Sequence, residues 1–111
     1  MIVRLWTTGI ISSKAAEYDG FASSRSLAMF KTLDGCLGVI FIRSDTKGYA
    51  LSFWDNAASV EALADSELYQ NTVSEIVAAG FLKEPQTSEL VDVTGGFLLG
   101  DVPSVFTRLA I

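Results

Sequence analysis

Residues 36–54 read Cys36-Leu37-Gly38-Val39-Ile40-Phe41-Ile42-Arg43, then Ser44-Asp45-Thr46-Lys47-Gly48, then Tyr49-Ala50-Leu51-Ser52-Phe53-Trp54. Two apolar runs of strand length, rich in β-branched and aromatic residues and joined by a polar segment ending in glycine, predict an antiparallel hairpin. Neither run alternates cleanly between apolar and polar residues, as a strand with one wet face does. Both faces of the hairpin therefore need cover.

Outward from the hairpin, the pattern changes from strand to helix on each side. Upstream, Asp34-Gly35 marks a turn, and Tyr18, Phe21, Ala22, Met29 and Phe30 recur at near-helical spacing. Ser12 or Ser13 is the expected cap of that helix, which runs to about Phe30 and is weakened at Gly20. Before it, residues 2–8 form a short apolar run bounded by Gly9 and predict the first strand. Downstream, Asn56 or Ser59 opens a helical stretch with Val60, Leu63 and Ala64 on one face, and the pattern restarts at Asp65-Ser66. Two abutting helices and one kinked helix fit equally well. The second part carries Leu68, Tyr69, Val73, Ile76 and Val77 and ends near Gly80. Beyond Pro85, residues 87–93 predict the last strand. The order strand, helix, hairpin, helix, strand is the split βαβ of an α+β, ferredoxin-like βαββαβ domain with an antiparallel sheet.

Two helices shield one face of such a sheet. The other face is covered either by a second copy of the chain, face to face, or by residues 94–111 folding back, and the homodimer is the favoured reading. Residues 1–93 make up the domain. The extension from residue 94, with Gly95-Gly96 as a joint and many apolar residues after it, is too apolar for a free end and is expected to dock on its own or the partner subunit. A short strand and then a helix from Pro103 suit its spacing.

Composition limits the function. With 111 residues the chain has room for one core. Its net charge of −5, with eight scattered Lys and Arg residues, argues against nucleic acid and anionic membranes. No apolar run reaches the length of a membrane span. The opening strand lacks the zones of a signal peptide, so a cytoplasmic location is expected. Cys36 is the single cysteine, which excludes an intramolecular disulfide, and the absence of histidine removes the commonest general base and the usual zinc and haem ligand. Cys36 follows a turn with Asp34 nearby and no cation, so it reads as a packing residue. Gly35, Gly38 and Gly48 precede no helix and form no phosphate loop. Asp55, Glu61, Asp65 and Glu67 suit helix starts better than a metal cluster.

Over residues 1–93 the chain resembles the antibiotic-biosynthesis-monooxygenase-like group of dimeric α+β barrels. The resemblance rests on the opening strand, on Leu33-Asp34-Gly35-Cys36-Leu37-Gly38 entering the second strand, on Ser52-Phe53-Trp54 ending the third, and on Ser59-Val60-Glu61-Ala62-Leu63 followed by Ser66-Glu67-Leu68-Tyr69. It implies a dimeric α/β barrel with a small-molecule pocket between helices and sheet. The group includes cofactor-independent monooxygenases that oxidise polycyclic phenols to quinones, and haem-degrading oxygenases. The haem-degrading branch uses an Asn, a Trp and an axial His; here the Trp position falls on Leu63, the His position on Val73, and the first strand has no Asn. Haem oxygenation of that kind is not expected, although Tyr or Cys ligation stays chemically open.

The resemblance therefore implies a cofactor-independent monooxygenase acting on a small aromatic or polyketide-like molecule, with no cofactor. In such chemistry a deprotonated substrate itself reduces oxygen in a dry aromatic pocket. Arg43 or Arg4, in or beside apolar strands, would stabilise the anion. Tyr18 or Tyr69 would carry a proton, and Trp6, Trp54 and Phe21 would wall the pocket. For each aromatic residue the competing role is ordinary core packing, and for each arginine, Arg25 included, a surface ion pair. Two other functions fit the same sequence: a non-catalytic dimer binding a hydrophobic small molecule, and an isomerase or cyclase of polyketide type.

Overall fold

The computed structural model of the protein describes residues 1–99, and the helix expected from Pro103 lies outside the described residues. In chain order the elements are β1 (Ile2–Ile10), a 3-10 turn (Ser12–Lys14), α1 (Ala15–Phe21), a π turn (Ala22–Ser26), α2 (Leu27–Thr32), β2 (Cys36–Arg43), β3 (Lys47–Trp54), α3 (Ala57–Glu61), a second 3-10 turn (Ala62–Asp65), α4 (Glu67–Ala78) and β4 (Leu82–Asp92). All strand pairs are antiparallel and the sheet order is β2-β3-β1-β4, the ferredoxin-like arrangement expected from the sequence. No helix among the described residues is long and apolar enough to cross a membrane.

Local chemistry sets the boundaries. The Asn56 side chain accepts a hydrogen bond from the Ser59 amide and the Ser66 hydroxyl accepts one from the Tyr69 amide, so each caps its own helix. The stretch that sequence alone left as two helices or one kinked helix is thus α3 and α4, joined by a 3-10 turn. At the first helix the expectation needs correction: Ser12 and Ser13 cap nothing and lie in the 3-10 turn, and α1 starts at Ala15 without a side-chain cap. The single helix expected from there to Phe30 is two α segments around a π turn.

The last strand also differs. It begins at Leu82 instead of residue 87, and Pro85 lies inside it. The pairing explains how a proline is tolerated: Thr8 faces Gln86 but Gly9 faces Lys83, so Glu84 and Pro85 bulge out of the ladder on a strand at the sheet edge. Residues 94–99 follow without regular structure, and Phe97 and Leu99 are exposed.

Register assigns the faces. Ile2, Trp6 and Ile10 of β1 pack with the helices, so the even-numbered residues of this strand face inward, together with their neighbours Ser52 and Ala50 on β3 and Val39 and Phe41 on β2. The opposite face carries Val3, Leu5, Tyr49, Leu51, Phe53, Ile40, Ile42 and Val91. Its apolar character continues to the periphery, where Ile40, Ile42 and Val91 are 36%, 50% and 39% exposed.

Gly35 and Gly80 both adopt left-handed backbone conformations, with φ of 78° and 82°. A Cβ at Gly35 would collide with the Ser59 side chain, whereas one at Gly80 would meet nothing within 4 Å. Gly80→Ala is expected to cost about 1 kcal/mol, the conformational penalty alone, and Gly35→Ala at least about 2 kcal/mol. Urea unfolding of the two variants measures the difference, and equal losses would contradict the close packing of Ser59 on Gly35.

Candidate functional site

The inward-facing core divides into two clusters. Ile10, Ala15, Tyr18, Ile76 and Phe81 form one, and Met29, Phe30, Trp54, Val60 and Leu63 the other. Between them the packing does not close. The seam is occupied by small or polar side chains, Ala22, Ser26, Ala50, Thr72 and Arg4, where a filled core would carry large apolar ones. The result is a cleft between sheet and helices, floored by Arg4, Trp6, Phe41 and Ala50 and walled by Tyr18, Met29, Phe30, Tyr69, Val73 and Ile76. It encloses about 460 Å³ of space between atoms, part of it continuous with solvent.

Arg4 is the charged group of this cleft. Its Nη2 donates a 2.7 Å hydrogen bond to the Tyr69 hydroxyl, and its guanidinium carbon lies 5.3 Å from the centre of the Tyr69 ring. Among the described residues it has no carboxylate partner, unlike Arg25, which pairs with Glu75, and Arg43, which pairs with Asp19. A guanidinium has five N–H donors, and the Tyr69 contact uses one. The remaining donors make no hydrogen bond to the described residues, and Arg4 lines the cleft.

Tyr18, on α1, is only 2% exposed and its ring packs edge-on to Phe81. It reaches the sheet because Gly48 makes room: a Cβ there would lie 2.6 Å from the Tyr18 hydroxyl oxygen. Burial, reinforced by the neighbouring Asp19 carboxylate and partly opposed by Arg43, pushes the phenol up to about 12. At neutral pH Tyr18 is thus a proton donor and not a phenolate. Its hydroxyl has no hydrogen-bond partner among the described residues.

Of the residues singled out in the sequence, Arg4, Trp6, Tyr18 and Tyr69 come together on this cleft. The other three lie elsewhere. Trp54 is fully buried in the second cluster, where its Nε1 donates a 2.8 Å hydrogen bond to the Ser52 hydroxyl, and it borders a different groove with Leu33, Leu63 and Leu68. Phe21 packs against the first cluster edge-on to Phe81. Arg43 lies past Phe41 on β2 and forms a two-pronged ion pair with Asp19, 2.7 and 2.9 Å, on an outer cleft that shares only Tyr18 and Phe41 with the inner one. That pairing holds Asp19 below the usual carboxylate range and raises Arg43 further. Sequence reasoning missed Ser26, Thr72, Met29 and Phe41. The Tyr18, Ala22, Ser26, Phe30 series at intervals of four was the available signal.

Cys36 is half-buried, its thiol is pushed up by burial, and its Sγ donates to the Gly38 carbonyl, all consistent with packing. Among the described residues no three Cys, Asp or Glu side chains are grouped closely enough to hold a metal ion.

Structural comparison places this architecture among known proteins. A putative antibiotic biosynthesis monooxygenase from Deinococcus radiodurans superposes with a TM-score of 0.68 at 11% identity, over 93% of this chain and 100% of its own. SnoaB, a cofactor-independent oxygenase from Streptomyces nogalater, gives 0.66 at 14% identity over 82% and 91% of the two chains. NE2512 from Nitrosomonas europaea, a protein of unknown function, gives 0.69 at 14% identity over 93% and 94%. The fold is that of the antibiotic biosynthesis monooxygenases. No family sequence model matches the chain, and no curated protein matches it by sequence. At these identities the likeness is one of fold.

A tyrosine whose pKa is raised on folding above the ordinary 10.0 binds its proton more tightly in the native state. Its contribution to stability is complete below pH 10 and is lost as pH climbs from 10 toward about 12. Unfolding free energy measured across that range is expected to fall in the native protein and to fall less steeply in Tyr18→Phe. Parallel slopes would remove Tyr18 from the list of strongly buried phenols.

Proposed function

We propose that this chain is a cofactor-independent monooxygenase acting on a small aromatic substrate that ionises to a phenolate or enolate. The observation that carries the reading is the guanidinium of Arg4, without a carboxylate partner among the described residues and fixed by Tyr69 within a largely apolar cleft. An uncompensated charge in such surroundings is costly, and nothing in the packing of the core calls for it. An anionic ligand explains it.

The chemistry follows from that placement. Arg4 favours the ionised substrate and lowers its pKa, so the proton leaves to cleft water. The carbanion or phenolate then supplies electrons to dioxygen. For a ring methylene, the methylene and one dioxygen give one ring carbonyl and one water: two C–H bonds and the O–O bond break, one oxygen stays on carbon, and the other departs as water. The substrate is the only reductant. Tyr18, protonated at neutral pH, donates a hydrogen bond to the reduced oxygen, and Tyr69, whose oxygen accepts from Arg4, keeps its own proton to pass on. Trp6, Phe30 and Phe41 supply flat apolar walls and exclude water. The scheme requires no imidazole, and the chain has none. Met29, a flexible side chain on the cleft wall, can adjust to the shape of a bicyclic or tricyclic substrate.

We further propose a homodimer formed through the sheet faces, supported by the apolar outer face that ends in exposed Ile40, Ile42 and Val91. One observation favours a binding protein without turnover instead: among the described residues no carboxylate lines the cleft to act as a base.

Oxygen uptake by metal-stripped protein over a panel of anthrones and hydroquinones tests the oxygenase. Saturable uptake is expected, falling about 100-fold in kcat/KM in Arg4→Met, the loss typical of an oxyanion donor. Binding of a panel member without oxygen consumption or product would favour the binding protein. For the dimer, light scattering during gel filtration is expected to give twice the chain mass, and Ile42→Lys the single mass. A native monomer at micromolar concentration would overturn the paired faces.

A further inference from the structure

Ser26 is 8% exposed, lines the cleft, and its hydroxyl makes no hydrogen bond within the described residues. Helical serines ordinarily return their hydroxyl to a carbonyl three or four residues back. In this same helix Ser23 does so to Asp19 and Gly20, and Ser24 to Gly20. Thr72, across the cleft, is likewise satisfied by the Leu68 carbonyl. Ser26 is the exception. Among the described residues no side-chain oxygen or nitrogen is sealed from contact and left without a partner, so the Ser26 hydroxyl opens onto the cleft. A ligand that covered it without meeting it would bear the cost of an unmet donor.

The backbone accounts for its position. Tyr18, Ala22, Ser26 and Phe30 lie at intervals of four, and in a regular α-helix each such step drifts about 40° around the axis. After three steps the stripe would have turned away from the sheet. The π turn at Ala22–Ser26 rotates less per residue, which opposes that drift, and all four residues remain on the cleft. Ala22, one step before, is small and lines the same cleft. A π turn thus brings an unpartnered hydroxyl from the helix roof to face a cleft whose floor carries Arg4.

We infer that Ser26 is a specificity-determining residue: its hydroxyl donates to a second oxygen of the ligand, a carbonyl or ether acceptor distinct from the anionic oxygen held by Arg4. The ligand class is therefore an aromatic anion with an additional acceptor on its ring system, not a simple aryl carboxylate or phenolate. This rests on the reading of the cleft as an anion site given above.

The test is calorimetric titration with two bicyclic anions. Lawsone, a hydroxynaphthoquinone that is an enolate at neutral pH, carries further carbonyl acceptors; naphthoate has none beyond its carboxylate. Ser26→Ala is expected to weaken lawsone binding about 3- to 10-fold, the effect of one hydrogen bond, and to leave naphthoate unchanged. Arg4→Met is expected to weaken both. Because the hydroxyl holds nothing in the fold and alanine is the better helix former, Ser26→Ala should also melt about 2–4 °C higher without ligand. Equal effects on the two anions, or a lower melting temperature, would overturn the role of Ser26 while the anion site stands. If the native protein binds neither anion, or Arg4→Met binds both as well as before, the anion site itself fails and the inference falls with it.

Discussion

β1 is hydrogen-bonded on both edges, to β3 from Ile2 to Gly9 and to β4 with one bulge, and a strand held in this way has no freedom to slip. Its alternation puts Ile2, Arg4, Trp6, Thr8 and Ile10 on the helix side together. A shift of one residue would expose all five and bring Val3, Leu5 and Thr7 inward. The floor of the cleft, the close approach of Tyr18 to Gly48 and the contact between Arg4 and Tyr69 depend on that single register. Tyr69 is brought to it by the Ser66 cap, which fixes where α4 begins. The helices thus adapt to a sheet whose centre is already specified.

Two tryptophans illustrate how differently this frame uses similar side chains. Trp54 is sealed, its polar edge met by Ser52 two residues back on the same strand and face. Trp6 is half-buried and borders open space. The polar groups of the second cluster are thus settled internally, whereas those along the seam, Arg4, Tyr18 and Ser26, keep unused donors. Stability and ligand recognition are separated within one small core, the first in the clusters and the second between them.

The element order and the sheet topology were legible because each strand carries its own apolar run and the turns carry Asp-Gly and polar signals. The boundaries that misled have local causes. Ser12 and Ser13 are good capping residues, yet the chain makes a 3-10 turn there and α1 starts without them. Pro85 reads as a strand breaker, and only the opposing Thr8/Gly9 register shows that a bulge absorbs it. In the site, the shared parity of Arg4 and Trp6 was visible, but which parity faces the helices is decided by tertiary packing. Arg43 could not be separated from Arg4 by sequence, because its partner Asp19 is 24 residues away on another element. Ser26 carries no apolar signal of its own, so only its interval of four from Ala22 and Phe30 marked it.

The irregularities at the two margins of the sheet have a consequence for self-association. β4 carries the Pro85 bulge, and β2, at the opposite margin, shifts register between Cys36 and Gly38. A stray strand adding to either margin would meet an interrupted row of amides and carbonyls, and on β4 a proline with no amide hydrogen to offer. Runaway fibre-like stacking of strands, the hazard of any open sheet, is thereby obstructed at both ends of this one. The chain can therefore keep a broad greasy surface without its margins acting as templates for aggregation.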